Sequence, residues 1–165
     1  MGKKREIMKA SRIIKLIISI TICEVIGSIG SIFAIPSIPT WYAKLVKSGI
    51  NPPNWIFAPV WTTLFLLMGI AFYIIWEKGK DNKNFKPALL AFGLQLALNA
   101  LWSFLFFGLK SPLFALLEII LLWIAILVTI SNFQKISKTA ALLLLPYILW
   151  VTFAAILNFF IWQFN

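Results

Sequence analysis

The sequence contains no histidine, one cysteine and only five acidic residues against fifteen basic ones. Because imidazole is absent, His-based metal sites, a His-containing catalytic triad and histidine acid–base chemistry are excluded. Cys23, the single cysteine, lies in an apolar run and cannot form an internal disulfide. Charged residues make up 12% of the chain, compared with about 25% in soluble domains. These shortages argue against a soluble domain and against metal-dependent or His-based catalysis.

Hydrophobic residues, in contrast, make up 61% of the chain, and its mean hydropathy is +0.94. They form five apolar runs, each close to the ~20 residues that a helix needs to cross a bilayer. We therefore predict an all-α integral membrane protein. Residues 1–165 form a single domain, a bundle of five transmembrane helices with a long external first loop. The predicted helices cover residues 13–35, 58–76, 87–107, 112–131 and 140–162.

Basic residues are distributed unevenly over the two sides of this predicted bundle. Because positive charge favours the cytoplasmic side, we expect a multi-pass protein of the cell membrane with a cytoplasmic N-terminus. The first loop and the C-terminus are then external. Attraction to anionic lipid accounts for the net charge of +10 without a nucleic acid partner. The basic residues predicted to be cytoplasmic are Lys3, Lys4, Arg5, Lys9, Arg12, Lys15, Lys78, Lys80, Lys83, Lys86, Lys135 and Lys138.

Proline is concentrated in the first connection and recurs once inside the fifth predicted helix. The connection from Pro36 to Ala58 is too apolar for a solvated linker and too rich in proline for a membrane span, so it is expected to cover the bundle as a lid. A short amphipathic helix over residues 40–47 fits this interpretation. A regular helix can resume at Pro59, where a missing N–H costs nothing. Pro146 predicts a kink, because it cannot bond to the carbonyl of Leu142.

Aromatic and amide side chains recur at helical spacing on three of the predicted helices. The topology brings these faces together beneath the first connection, which predicts a cavity with aromatic walls for a large, flat, mainly apolar molecule. The alternative is a solid aromatic core. The three faces are Trp61, Phe65, Met68 and Phe72 on the second helix, Gln95, Asn99, Trp102 and Phe106 on the third, and Tyr147, Trp150, Ala154, Asn158 and Ile161 on the fifth.

Four polar residues in the membrane interior are candidates for roles beyond packing. Asn99, beside the aromatic stripe, is the preferred ligand contact, whereas Asn158 near a helix end is interpreted as a hydrogen-bonding link between helices. Glu24 and Glu118 are intramembrane acids, which are functional hypotheses by default. Two isolated carboxyl groups are too few for a proton relay.

The third predicted helix also carries small residues on the face opposite its aromatic stripe. Gly93, Ala97 and Ala100 form a track that lets another helix approach closely. The track indicates either close packing within one molecule or the contact surface of a homodimer.

Several motifs, in order along nearly the whole chain after residue 20, resemble the TspO/MBR family of tryptophan-rich sensory proteins, whose mitochondrial member is the translocator protein. The resemblance is specific because many spaced motifs match together. They are Pro52-Pro53-Asn54-Trp55, Ala58-Pro59-Val60-Trp61, Met68-Gly69, Gln95-Leu96-Ala97-Leu98-Asn99, Trp102, Phe106-Phe107-Gly108, Pro146-Tyr147, Trp150, Phe153-Ala154, Leu157-Asn158 and Trp162.

The resemblance implies five transmembrane helices, usually in a dimer, with a pocket under the first loop. Family members bind porphyrins such as protoporphyrin IX and haem, and benzodiazepine-type or isoquinoline molecules, as membrane receptors or sensors. A transporter of tetrapyrroles or other amphipathic molecules is the alternative. The implied pocket residues are Trp61, Phe65, Asn99, Trp102, Trp150, Ala154 and Leu157, with Trp41 and Tyr42 in the lid.

Bacterial members of the family are also linked to light-dependent breakdown of protoporphyrin IX. The resemblance then implies porphyrin as ligand or substrate, with no other cofactor required. Trp61 and Trp150 would be the oxidisable partners. Lys44 and Lys47 either would meet the propionates or form a solvated face of the first loop. The cholesterol-recognition pattern of mitochondrial members needs a tyrosine followed by a basic residue, and residues 158–165 contain neither.

Overall fold

The computed structural model describes residues 2–165, with the side chains of Glu6 and of residues from Lys9 onward. Residues 2–165 contain helices and no strand. Five helical segments are long and apolar enough to cross a membrane, which confirms the predicted five-helix membrane fold. The helices are α1 (Gly2–Ser37), α2 (Phe57–Gly79), α3 (Phe85–Ser103), α4 (Pro112–Gln134), α5 (Lys138–Leu142) and α6 (Leu145–Phe164).

The first helix is longer than predicted at both ends. It begins at Gly2 and runs through Pro36, and it continues as a π-helical segment over Ile38–Tyr42. Proline cannot donate the usual backbone bond, and a π turn is one way in which a helix absorbs such a distortion. The predicted separate helix over residues 40–47 is therefore wrong, because its first residues complete this helix. The remaining irregular connection spans only residues 45–53.

The fifth span is interrupted where the sequence predicted a kink. α5 ends at Leu142, a turn covers residues 143–144, and α6 begins at Leu145 with Pro146 in its first turn. The Leu144 N–H bonds to the Ala141 carbonyl at 3.1 Å, which closes the turn. Proline is tolerated in a first helical turn because its missing N–H would have no partner there. The single predicted helix 140–162 is thus two helices.

The spans form a ring in which α1 contacts α2 and α3, α4 packs between α3 and α6, and α5 contacts α2. The buried core lies along the inner faces and includes Met68, Ile75, Leu122 and Tyr147. α1 and α2 are in close contact at Gly69, where an added Cβ would lie 2.6 Å from the Cα of Ile20. Such close contact between backbones is typical of small residues in membrane helices.

Beyond Gly27, α1 packs against α3 rather than along α2. An added Cβ on Gly27 would lie 2.4 Å from the ring of Phe65 on α2, whereas one on Gly30 would lie 2.7 Å from the Ser103 hydroxyl on α3. One turn further on, Phe33 makes an edge-to-face contact with Phe104 at 5.3 Å. This change of partner leaves a space bounded by α1, α2 and α3 at the end of the bundle near the first connection.

At the opposite end, charged side chains join α1 to α2. Glu77 pairs with Lys15 and, at 3.3 Å, with Arg12. The Gly93 track faces the outside of the bundle instead. Gly93 and Ala97 are exposed, and an added Cβ on Gly93 would meet no atom of the described residues within 4 Å. Close packing within one molecule is therefore not the role of Gly93.

Candidate functional site

A cavity of about 270 Å³ lies at the end of the bundle near the first connection. α1, α2, α3 and α6 enclose it, as the predicted convergence of aromatic faces requires. Most of the predicted site residues line its wall. Those that do are Tyr42, Trp61, Phe65, Asn99, Trp102, Phe106, Trp150, Ala154 and Leu157.

Two stacked aromatic pairs form parts of the wall. Trp61 and Phe65 on α2 stack with centroids 5.8 Å apart, and Trp102 stacks on Phe106 at 5.0 Å. Trp150 meets Phe57 edge to face at 6.1 Å. These rings come from three spans, so they present flat apolar surfaces to one volume. Such a site suits a planar ring system.

Two predicted residues support the wall without lining the cavity. Tyr147 is only 1% exposed, and its hydroxyl accepts a hydrogen bond from the Asn99 side chain at 2.9 Å. It also contacts the ring of Trp61 at 6.3 Å. Trp41 packs edge to face against Phe106 at 5.5 Å. Helical spacing identified the helix face on which each residue lies. It could not show how deeply each side chain is buried, because that depends on the neighbouring helices.

Asn158 links three helices, in keeping with its predicted bonding role, and it also lines the cavity. Its side-chain oxygen accepts from the Trp102 indole at 3.1 Å, and its amide donates to the carbonyl of Pro112 at 2.7 Å. Paired amides of this kind are tolerated in a membrane interior because their polar groups are satisfied. Asn158 therefore fixes the orientation of one aromatic wall.

The indole N–H of Trp150 is buried and has no hydrogen-bond partner among residues 2–165 of the structure. Because Trp150 lines the cavity, this donor is free to bond to a carbonyl or other acceptor on a bound molecule. Leaving such a donor unpaired is costly. A ligand acceptor would remove that cost, which makes the Trp150 indole a candidate polar contact.

Sequence reasoning missed the wall that α1 contributes. This wall lacks aromatic rings near its centre, and its signal is a run of small residues at helical spacing. The lining residues of α1 are Glu24, Gly27, Ser28, Gly30, Ser31, Ala34 and Ile35, and Ile38 follows in the π-helical segment. The glycine, serine and alanine residues among them leave room for the cavity, and a search for aromatic stripes does not detect them.

The irregular segment 45–53, here termed the roof, is attached to the bundle at two places. At one end, Asn51 and the Tyr42 hydroxyl exchange hydrogen bonds of 3.1 and 3.3 Å. Near the other, the Asn165 side chain accepts from the Val46 N–H at 3.0 Å and donates to the Val46 carbonyl at 3.1 Å. The Lys47 ammonium lies 4.6 Å from the centroid of the Tyr42 ring.

The donor set of the cavity does not resemble a metal site. Among the residues that the structure describes, no three His, Cys, Asp or Glu side chains group together as metal ligands would. Cys23 is fully buried in the core and is not part of the cavity wall. The cavity can therefore contribute aromatic surface and a few hydrogen bonds to a ligand.

Residues 19–163 match the TspO/MBR family. The tryptophan-rich protein TspO of Archaeoglobus fulgidus is 49% identical over 93% of this chain and 98% of that protein. The translocator protein of Ovis aries is 41% identical over 76% of this chain and 75% of its own length. The tryptophan-rich sensory protein of Cereibacter sphaeroides is 35% identical over 72% and 73%, respectively. Because the match includes every helix that encloses the cavity, the chain belongs to the TspO/MBR family.

Proposed function

We propose that this protein is a membrane receptor or sensor that binds a flat, mainly apolar molecule in the aromatic cavity. The proposed ligand classes are porphyrins, such as protoporphyrin IX and haem, and benzodiazepine-type or isoquinoline molecules. The observation that carries the proposal is the pair of stacked aromatic walls, Trp61 with Phe65 and Trp102 with Phe106, around one cavity. Relatives named translocator protein and tryptophan-rich sensory protein support a sensor, receptor or transporter role in the membrane.

The volume of the cavity limits which ligands can enter it without a change in the protein. Its volume of about 270 Å³ is close to the lower end of the ~300–1,000 Å³ range of small-molecule pockets. A fused aromatic ring system of two or three rings suits this volume. A porphyrin macrocycle is larger, so it requires displacement of the roof or projection of one edge between helices. Binding of a porphyrin is therefore coupled either to movement of the roof or to insertion of one edge of the ring between helices.

Basic side chains on and beside the roof are suited to the carboxylates of a porphyrin. Lys47 lies over the ring of Tyr42, which lines the cavity, and Lys44 is exposed just before the roof. Lysine is a flexible point charge that reaches an anion without a fixed geometry. In the proposed complex the propionates point toward the roof, and the ring lies between the aromatic walls.

The same arrangement supports light-dependent breakdown of a bound porphyrin as an associated activity. The porphyrin itself absorbs the light, and its excited state takes one electron from the indole of Trp61 or Trp150 at the cavity wall. This leaves an oxidised indole and a reduced porphyrin, which reacts further with dissolved dioxygen. No metal or second cofactor is needed for this step. Illumination of the complex with and without these indoles tests the activity separately from binding.

Quenching of tryptophan fluorescence by added protoporphyrin IX tests the binding proposal on the full chain in detergent. Trp61→Phe and Trp150→Phe are expected to weaken binding about three- to tenfold, since aromatic contacts contribute roughly 0.5–1.5 kcal/mol beyond buried area. Trp55→Phe is the matched control, because Trp55 is 73% exposed and is not part of the cavity wall. Equal affinity in all three variants would contradict the site assignment.

Transport of tetrapyrroles or other amphipathic molecules is the second candidate function. One observation favours it. Some of the α1 residues that line the cavity, such as Ser31 and Ile35, are exposed rather than buried. A sideways opening of this kind offers a route between the cavity and lipid. Uptake of a porphyrin into liposomes that contain the protein separates the functions, because a sensor binds without net flux.

Two further features are proposed for the functional unit. The outward face around Gly93 and Ala97 is the contact surface of a homodimer, since small residues let membrane helices approach closely. The N-terminus is cytoplasmic, and the roof and the C-terminus are external, because the basic residues favour that orientation. Labelling a cysteine introduced at exposed Gly49 of the roof in intact cells tests the orientation.

A further inference from the structure

The cavity opens sideways between α1 and α2. Ser28 and Ser31 on α1, and Ala58 and Thr62 on α2, line the cavity and are exposed rather than buried. The two helices are in close contact at Gly69, and beyond Gly27 α1 turns toward α3. The gap between α1 and α2 therefore forms a lateral opening, with hydroxyl groups along its edges.

Glu24 lies at the closed end of this lateral opening, one turn before Ser28. It is partly exposed and lines the cavity, and it is the one acidic side chain in the described cavity wall. Lysine and arginine are absent from that wall. The hydrogen bond described for Glu24 uses its backbone carbonyl, which accepts from the Ser28 hydroxyl at 2.8 Å. Its carboxyl group is thus directed to no described partner.

The second intramembrane acid has a different environment. Glu118 on α4 is only 4% exposed and is not part of the cavity wall. Both acids lie in membrane-spanning helices, but only Glu24 lines the cavity that a bound molecule would occupy. This difference makes Glu118 a matched control for any effect that depends on a carboxyl group in the membrane.

We propose that Glu24 determines ligand specificity by accepting a hydrogen bond from a cationic or N–H-bearing group on the ligand edge that lies in the lateral opening. The inference rests on the proposed ligand-binding function of the cavity. A carboxyl group away from bulk water gains strongly from a positively charged partner, because a low local dielectric strengthens the attraction. Lys47 beside the roof has the opposite charge, so the two residues orient an amphipathic ligand with acidic groups toward the roof.

Two flat probes of nearly equal shape test this inference. Acridine is neutral at neutral pH, whereas 9-aminoacridine carries a positive charge and N–H donors. Binding of each probe to the full chain is measured by fluorescence in a non-ionic detergent, with protein-free micelles subtracted. Wild-type protein is expected to bind 9-aminoacridine about tenfold more tightly than acridine, in line with a charge-assisted hydrogen bond.

Glu24→Gln is expected to reduce this ratio to about one while acridine still binds, which shows that the cavity is intact. Glu24→Asp keeps the carboxyl group and retains most of the preference, and Glu118→Gln leaves the ratio unchanged. An unaltered ratio in Glu24→Gln overturns the inference and leaves the proposed function standing. An equal loss of preference in Glu118→Gln overturns the role of Glu24. Failure of the wild-type protein to bind either probe also overturns the inference, and the titration with protoporphyrin IX then decides the proposed function separately.

Discussion

The Asn99 side chain donates a hydrogen bond of 2.9 Å to the Tyr147 hydroxyl, and this bond joins α3 to α6 at the cavity wall. Asn99 lines the cavity, whereas Tyr147 is almost fully buried behind it. The bond therefore uses part of the hydrogen-bonding capacity of the amide and orients the remainder. Tyr147, which the stripe pattern placed on the cavity face, thus positions the side chain of Asn99.

Replacement of Tyr147 by phenylalanine removes this hydrogen bond and keeps the aromatic contact with Trp61. We expect the free energy of unfolding to fall by about 0.6–1 kcal/mol, the usual contribution of a hydrogen bond between membrane helices. Thermal unfolding in detergent measures the change. Tyr73→Phe on α2, outside the cavity wall, is the control, and equal melting temperatures for the two variants would show that the bond contributes nothing.

Replacement of Gly69 by alanine tests the close contact between α1 and α2. The new Cβ would lie 2.6 Å from the Cα of Ile20, so a backbone must shift, and overpacking of this kind costs about 1–3 kcal/mol. The melting temperature should fall clearly. Gly93→Ala is the matched control, since its Cβ has open space and alanine favours a helix. A melting temperature of Gly69→Ala at or above that of the control would contradict the packing.

Replacement of Gly93 by leucine tests the proposed dimer surface. A large side chain at this outward position keeps a second helix at a distance, so light scattering in detergent should report mainly monomers. Binding of acridine is expected to persist, because Gly93 is remote from the cavity wall. Thr21→Leu enlarges an exposed residue on α1 and should leave the oligomer intact. A persistent dimer in Gly93→Leu would exclude this face.

Replacement of Asn165 by alanine tests the attachment of the roof at Val46. The change removes three hydrogen bonds, two to Val46 and one to the Ile161 carbonyl of its own helix. A net loss of about 1 kcal/mol at Val46 corresponds to roughly a fivefold shift toward an open roof. Stopped-flow fluorescence should show faster release of protoporphyrin IX. Asn132→Ala is the control, because Asn132 bonds to a carbonyl of its own helix. Unchanged release rates would mean that this contact does not hold the roof.

The second, third and fourth membrane-spanning helices could be predicted from the sequence with small errors, whereas the first begins at Gly2 rather than at residue 13 and the fifth is divided into two helices. The predicted range 112–131 corresponds to Pro112–Gln134, and 58–76 corresponds to Phe57–Gly79. The agreement has a physical cause, because lipid imposes both a minimum length and an all-helical backbone. Prediction failed in the first connection, where Pro36 was expected to end a helix. There, a π-helical segment extends the helix to Tyr42.

The candidate site was only partly predictable. Helical spacing identified the faces of Trp61, Trp102 and Trp150, and the chain order brought those faces to one end of the bundle. Spacing could not show that Tyr147 lies behind the wall, since depth depends on how closely α6 approaches α2 and α3. Nor could it show that α1 lines the cavity, because Gly27 and its neighbours contribute by leaving space rather than by filling it.

The amino-acid sequence alone determined that five helices cross a bilayer, because its apolar runs have the required hydrophobicity and length between prolines. It also determined, through the order of the aromatic residues, that indole rings gather near the first connection. These properties are local or depend on the solvent, so a linear chain already contains them. Only the packed bundle decided that a cavity remains between the rings and that it opens between α1 and α2 beside Glu24. The size of a cavity and the position of its opening depend on how closely several helices approach one another, so no single helix specifies them.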